Sequence, residues 1–391
     1  MSDIKSNIWK LSLIKIFYWF ILFMPTIVLF YQENGLSMKE VFILQAAFSV
    51  AIVLFEIPSG YFADVFGRKF SIIIGCTASF FGLIIYSFSY GFVGFLFAEI
   101  IFGVGSSFIS GADSALLYDS LVQIRREKEY KKMEGRVSST ENFSEGAASI
   151  LGGFLAVISL RVPFYINAIL IFFTIPIALT LIEPIVHKYK SPESNFKNIQ
   201  KIVKYSLHDH SEVKWLIVYS SLVFASTLTM VWFTQPYLKS AGLPLAFFGI
   251  VWATFQFSVG IFSLYAYKFE LKIGRRNALI SLIVLSTLGY LTLSLFQGLL
   301  SILFIFIFYF VRGINGPVIK DYINKLISSD IRATVLSVQN LIGRLIFSVV
   351  GPIVGWINDL YSLKTALLFS GAIFLFCGTI SLLFLHKHKA L

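Results

Sequence analysis

The chain is predicted to be all-α and to cross a membrane many times. Four observations carry that prediction. Apolar residues make up 57% of the chain and charged residues only 14%, whereas an ordinary globular domain is about a quarter charged. The mean hydropathy is +0.80. Apolar runs of about 20 residues recur along the chain, and each can span roughly 30 Å of hydrocarbon at 1.5 Å per residue. The basic residues, finally, are concentrated in every second connector between those runs.

Taken in order, the spans are predicted at 9–30, 39–62, 70–89, 92–118, 137–159, 162–183, 215–237, 245–267, 277–296, 299–319, 333–357 and 363–385, twelve in all. A short polar head precedes the first run, and no small-residue cleavage site follows it. It therefore reads as a retained helix. Of the 32 Lys and Arg, 25 fall in one set of alternating connectors and 4 in the other. That bias places both termini in the cytoplasm. The net charge of +11 is thus topological, with membrane lipid as its partner and not nucleic acid. Cys76 and Cys377 lie inside apolar runs and say little about redox compartment.

The longest connector divides the chain into an N-terminal six-helix half (1–183), a linker (184–214) and a C-terminal six-helix half (215–391). In the linker Phe196, Ile199, Ile202, Val203 and Leu207 recur at helical spacing, which predicts an amphipathic helix along the interface. His208-Asp209-His210 in the same linker could bind metal or simply end a solvated loop. The halves are weak copies. Gly67-Arg68-Lys69 recurs as Gly274-Arg275-Arg276, and Asn142 and Gly153 recur as Asn340 and Gly351.

The connector Gly60-Tyr-Phe-Ala-Asp64-Val-Phe-Gly67-Arg68-Lys69 holds an acid, two bases and two glycines between long apolar runs. Gly60 would let two helices approach closely, and Gly67 can take the positive φ that ends a helix. Asp64 is placed to accept from Arg68 or to face a helix N-terminus. This segment resembles the G-x-L-A-D-R-x-G-R-K signature between helices 2 and 3 of the major facilitator superfamily. It keeps Gly60, Ala63, Asp64, Gly67, Arg68 and Lys69 and departs at Phe62 and Val65. The resemblance covers essentially the whole chain and is nearest to the bacterial drug:proton antiporter-like branch. Asp330-Ile331-Arg332-Ala333-Thr334 looks like the short Arg-containing turn common before helix 11. Gly146, Gly152 and Gly153 loosely resemble the glycine-rich helix-5 motif of exporters in the superfamily, with its Pro missing.

The resemblance implies two pseudo-symmetric six-helix halves that rock around a midplane site. Helices 1, 4, 7 and 10 would line the cavity, and 2, 5, 8 and 11 would form the seam. An Asp64–Arg68 latch with Glu56, Gly60, Gly67 and Lys69 would gate the cytoplasmic side.

Charge within a span costs a few kcal/mol and normally faces protein or a water path. The short set of such residues therefore yields the candidates. Glu99, Ser106, Ser110 and Asp113 form one stripe on span 4, and Asn142, Glu145 and Ser149 another on span 5. Arg312 and Asn315 lie on span 10, and Ser337, Asn340, Arg344 and Ser348 on span 11. Substrate binding is assigned to Arg312, Arg344, Glu99, Asn315 and Asn340, with Trp19 and Phe23 as an aromatic wall sharing one helix face. Proton coupling is assigned to Glu145 and Asp113, because every histidine lies outside the spans. The same charges would also serve as ion bridges between helices. Lys15 can snorkel to the interface or line the cavity.

The function these features predict is a secondary active transporter of the bacterial cytoplasmic membrane, acting as a monomer. It would move a small amphipathic or organic-anion compound by alternating access, as proton-coupled efflux or, alternatively, as uptake of an organic anion. A channel or a membrane receptor fits less well, since the longest connector is only about 30 residues. No P-loop, metal-spaced His/Cys cluster or catalytic constellation appears, so neither an enzyme nor a cofactor is expected.

Overall fold

A computed structural model describes residues 4–185, 204–328 and 331–388. Most of the predicted interfacial helix falls outside those residues. The described chain is helical, without strands, and packs as two compact units. Unit 1 comprises Met1–Leu36, Ala47–Tyr189 and Pro244–Thr254, and unit 2 comprises Ser37–Ala46, Lys190–Leu243 and Phe255–Leu391.

Unit 1 holds helices α1 (Ser6–Trp19), α2 (Ile27–Glu33), most of α3 (Met38–Phe66), α4 (Arg68–Phe88), α5 (Phe92–Ile109), α6 (Ala112–Gln123), α7 (Tyr130–Ile158), α8 (Val162–Phe172) and α9 (Thr174–Leu179). Unit 2 holds α10 (Ser211–Ser240), most of α11 (Phe248–Ile273), α12 (Arg275–Leu295), α13 (Phe306–Leu326), α14 (Arg332–Leu360) and α15 (Leu363–Lys387). Its centre is α10, which is buried along most of its apolar length, with Val213, Leu216, Ile217 and Tyr219 packed against α12, α13 and α14.

Among the described residues, ten helical segments are long and apolar enough to cross a membrane. The two predicted spans outside that set differ for distinct reasons. Span 9–30 is broken after Trp19 and resumes at Ile27. Pro25 removes a donor there and disfavours helix at the preceding residue. A broken helix inside a membrane needs new partners for its backbone, and the Leu22 N–H donates to Asn167 Oδ1 at 2.7 Å. Gly152 of α7 faces the same break, where any Cβ would run into the Leu22 carbonyl. Span 137–159 lies in a continuous helix of 29 residues, Tyr130–Ile158, whose N-terminal part carries Glu134, Arg136, Glu141 and Glu145.

The repeat of the basic connector is visible in the backbone. Gly67 and Gly274 sit at φ +106° and +79°, each immediately before a helix that opens on Arg. Only glycine takes such angles without strain.

Candidate functional site

Helix α6 begins just after Gly111, and its first turn carries Asp113, which is buried. Helix α1 passes beside it and presents Lys15. Helix α7 completes the cluster with Glu141. The Lys15 ammonium pairs with Asp113 and, at 2.5 Å, with Glu141 Oε1. One turn along α1, the Tyr18 hydroxyl is 2.8 Å from Ser106 Oγ, and Ser79 donates to it at 3.3 Å. Beside the cluster, Ser114 donates to Glu134 at 2.7 Å. The cluster thus holds one cation between two carboxylates, inside a span. Fully ionised it carries one net negative charge, and one bound proton makes it neutral. Buried ions persist only where paired, so this arrangement can take up and give back a single proton, or exchange its ammonium for another cation.

Asp113 was a predicted site residue; Glu141 was not. Glu145, assigned to proton coupling along with Asp113, lies one turn further along α7 and is half-buried, its carbonyl accepting from Ser149 at 2.7 Å. The signal for Glu141 was its i,i+4 spacing to Glu145, which puts both on one helix face.

Unit 2 contains the second candidate. Arg312 on α13 is half-buried and packed among Thr227, Met230, Val231, Phe308 and Tyr309, with no room between them for a ligand in this conformation. Among the described residues it makes no ion pair. One turn on, Asn315 is 8% exposed. Its amide reaches only a long 3.5 Å contact with the Ser220 carbonyl, and its Oδ1 is unpartnered among the described residues. The Arg312 guanidinium beside aromatic and thioether surface can meet the anionic end of an amphipathic molecule, whereas Asn315 Oδ1 is an acceptor and would take a donor.

The other predicted residues are placed as follows. Glu99 is 4% exposed and accepts from the Tyr31 hydroxyl at 2.9 Å, which is itself 2.7 Å from Tyr86. Phe23 is buried and stacks on Phe164 at 4.5 Å between ring centres. Both therefore belong to a packed aromatic core of unit 1 with Phe30 and Phe95. Trp19 is half-buried, edge-on to Tyr18. On α14, Arg344 is half-buried and Asn340 exposed.

The latch differs from expectation in its partners. Arg68 is ion-paired with Asp119 on α6, while Asp64 is exposed on the last turn of α3. The N-terminus of α4 is capped by Glu183, whose two oxygens accept from Arg68 N–H at 2.9 Å and Lys69 N–H at 2.7 Å. The cause is local. Gly67 turns the chain sharply, so Arg68 opens a new helix instead of continuing the face that holds Asp64. A carboxylate at a helix N-terminus also meets free N–H groups and the positive end of the dipole. Glu56 is half-buried. Gly60 is exposed, and a Cβ there would meet nothing within 4 Å. It does not mark a close helix approach. Close approach is instead made at Gly153, where a Cβ would lie 2.7 Å from the Gly249 nitrogen. Asp119 and Glu183 escaped the sequence reading because their roles depend on tertiary neighbours.

A family profile, the Major Facilitator Superfamily, matches residues 11–352. The chain is 24% identical over 359 residues to the MFS-type transporter YxaM of Bacillus subtilis, covering 88% of this chain and 86% of that protein. Multidrug resistance protein 2 of Bacillus subtilis is 27% identical over 51% of this chain and 50% of its own length. Quinolone resistance protein NorA of Staphylococcus aureus is 21% identical over 54% of this chain and 50% of its own. Among solved structures, a variant of the nucleoside transporter NupG superposes with a TM-score of 0.82 at 15% identity, covering 98% of this chain and 99% of that one. A D-xylose-proton symporter superposes with a TM-score of 0.73 at 16% identity, covering 98% and 96%. At these identities the structural likeness is one of fold.

Proposed function

Since the chain belongs to the major facilitator superfamily and is a multi-pass transporter, not an enzyme, we propose that it exports a small amphipathic or organic-anion compound across the bacterial cytoplasmic membrane by alternating access, driven by inward movement of protons. The observation that carries the coupling is the cluster of Lys15, Asp113 and Glu141. Two carboxylates share one ammonium inside a span, and a single proton separates the cluster's neutral and charged forms. A buried net charge is costly, so the cluster's protonation biases whichever conformation opens it to water. Arg312 with Phe308 and Tyr309 supplies the anchor for a charged, partly apolar cargo. Outward direction is supported by the relatives named for drug resistance. The Arg68–Asp119 pair and the Glu183 cap, all within unit 1, hold the connector between α3 and α4 on the cytoplasmic side, in place of an Asp64–Arg68 pair.

The test compares metabolites and drug sensitivity between cells with and without the gene, then follows the compounds that differ in everted membrane vesicles. Export coupled to protons predicts accumulation in everted vesicles on internal acidification. Accumulation in right-side-out vesicles alone would reverse the direction. Accumulation indifferent to the proton gradient would remove the coupling.

A further inference from the structure

On the surface of unit 2 a groove runs between α12 and α15. It is lined by Arg276, Ile280, Val284, Leu375, Leu383 and His386 among others, and has a volume of about 300 Å³. Small-molecule sites span about 300–1,000 Å³, so the volume is at the lower end of that range, enough for part of an elongated ligand. The two helices touch beside it at Gly378, where a Cβ would lie 2.5 Å from Ile283 Cδ1. The contact leaves the larger side chains to form walls.

The chemistry of those walls is polarised. Apart from Thr379, the lining between the ends is aliphatic, and among the described residues no carboxylate contributes to it. The nitrogen-bearing side chains sit together at one end. Arg276 is the second residue of α12 and His386 the penultimate residue of α15. Nearby Arg275 is already engaged, bonded to Glu212 at 3.2 Å and stacked over Tyr322 at 4.5 Å. Arg276 makes no ion pair among the described residues and is exposed.

The length is also informative. From Arg276 to Val284 along α12 is about 12 Å, and from Leu375 to His386 along α15 about 16 Å, at 1.5 Å rise per residue. Half of a hydrocarbon core of about 30 Å is roughly 15 Å. The groove is therefore one leaflet deep, apolar along its length and basic at the mouth. The positive-inside reading puts that mouth at the cytoplasmic interface.

We propose that this groove binds one anionic phospholipid of the cytoplasmic leaflet, with an acyl chain along Ile280, Val284 and Leu375 and the phosphate held between Arg276 and His386. A guanidinium matches phosphate oxygens bidentately, and the imidazole adds a further N–H donor. A zwitterionic head group would bring its own cation to the same basic mouth and lose that advantage. Basic pockets between helices on the cytoplasmic side take anionic head groups by this logic.

The test uses the purified full chain equilibrated with equal phosphatidylglycerol and phosphatidylcholine, with retained lipids counted by native mass spectrometry. The wild type should retain phosphatidylglycerol at about tenfold preference. Arg276→Ala/His386→Gln should lose the preference. Leu375→Trp, which fills the groove without touching its charges, should lose the retained lipid of either kind. Each variant is compared at an unchanged melting temperature, and either suffices if the other fails to fold. Equal retention of both lipids by the wild type would overturn the proposal, as would wild-type retention of phosphatidylglycerol by a folded variant.

Discussion

Replacing Lys15 by Met keeps most of the side-chain volume and removes one charge. Its side chain is 16% exposed, and those of Asp113 and Glu141 are 7% and 21% exposed. Solvent therefore screens the cluster poorly. Both carboxylates bind the same nitrogen, so they lie no more than about 5 Å apart, and at an effective dielectric of about 20 their repulsion is roughly 3 kcal/mol. That agrees with the roughly 3–5 kcal/mol lost when one partner of a buried pair is removed. The expected fall in melting temperature of the purified protein is on the order of 5 °C. The decisive comparison is a second substitution. Lys15→Met/Glu141→Gln removes the repulsion as well as the cation, and should recover most of the loss. Scanning fluorimetry of the two variants and the wild type gives the answer. If Lys15→Met melts with the wild type, or if the double variant is worse than the single by the full cost of an independent site, the cluster is not an interacting unit.

Glu183→Gln should destabilise the protein by about 0.5–2 kcal/mol, the usual worth of a helix cap with its dipole contribution, read as a lower melting temperature. Asp119→Asn should cost more than Asp64→Asn, because Asp119 holds Arg68 and Asp64 is exposed; equal costs would restore the Asp64–Arg68 latch. Gly152→Val should lower the yield of monodisperse protein sharply, since its Cβ meets the Leu22 backbone and overpacking costs about 1–3 kcal/mol or more. Arg312→Ala should leave the melting temperature within about 2 °C while weakening cargo binding at least about tenfold, as loss of a charge-assisted contact does.

Spans of continuous apolar character could be read directly from composition, because lipid imposes one simple requirement on every helix that crosses it. The interruption of the first span could not, although Pro25 hinted at it. Where such a break becomes stable depends on Asn167, in sequence far from Leu22 but bonded to it. The positive-φ glycines at 67 and 274 were legible from local chain geometry alone. The latch was not, because Asp64 and Asp119 are equally good partners on paper and only the turn at Gly67 selects between them. Asp113 was found as a buried acid on a polar stripe, whereas Glu141 needed the fold to bring α7 beside Lys15. Glu99 and Phe23 show how the fold adds partners that spacing does not reveal. A polar or aromatic residue in a span can be consumed by packing, here with Tyr31, Tyr86 and Phe164.

The most direct measurement is made on purified protein in sealed liposomes loaded with an identified cargo, comparing uphill accumulation under a proton gradient with exchange at equilibrium. With Glu141→Gln, the account predicts that exchange continues at a rate near the wild type while uphill accumulation is lost. Undiminished uphill accumulation by that variant would contradict it.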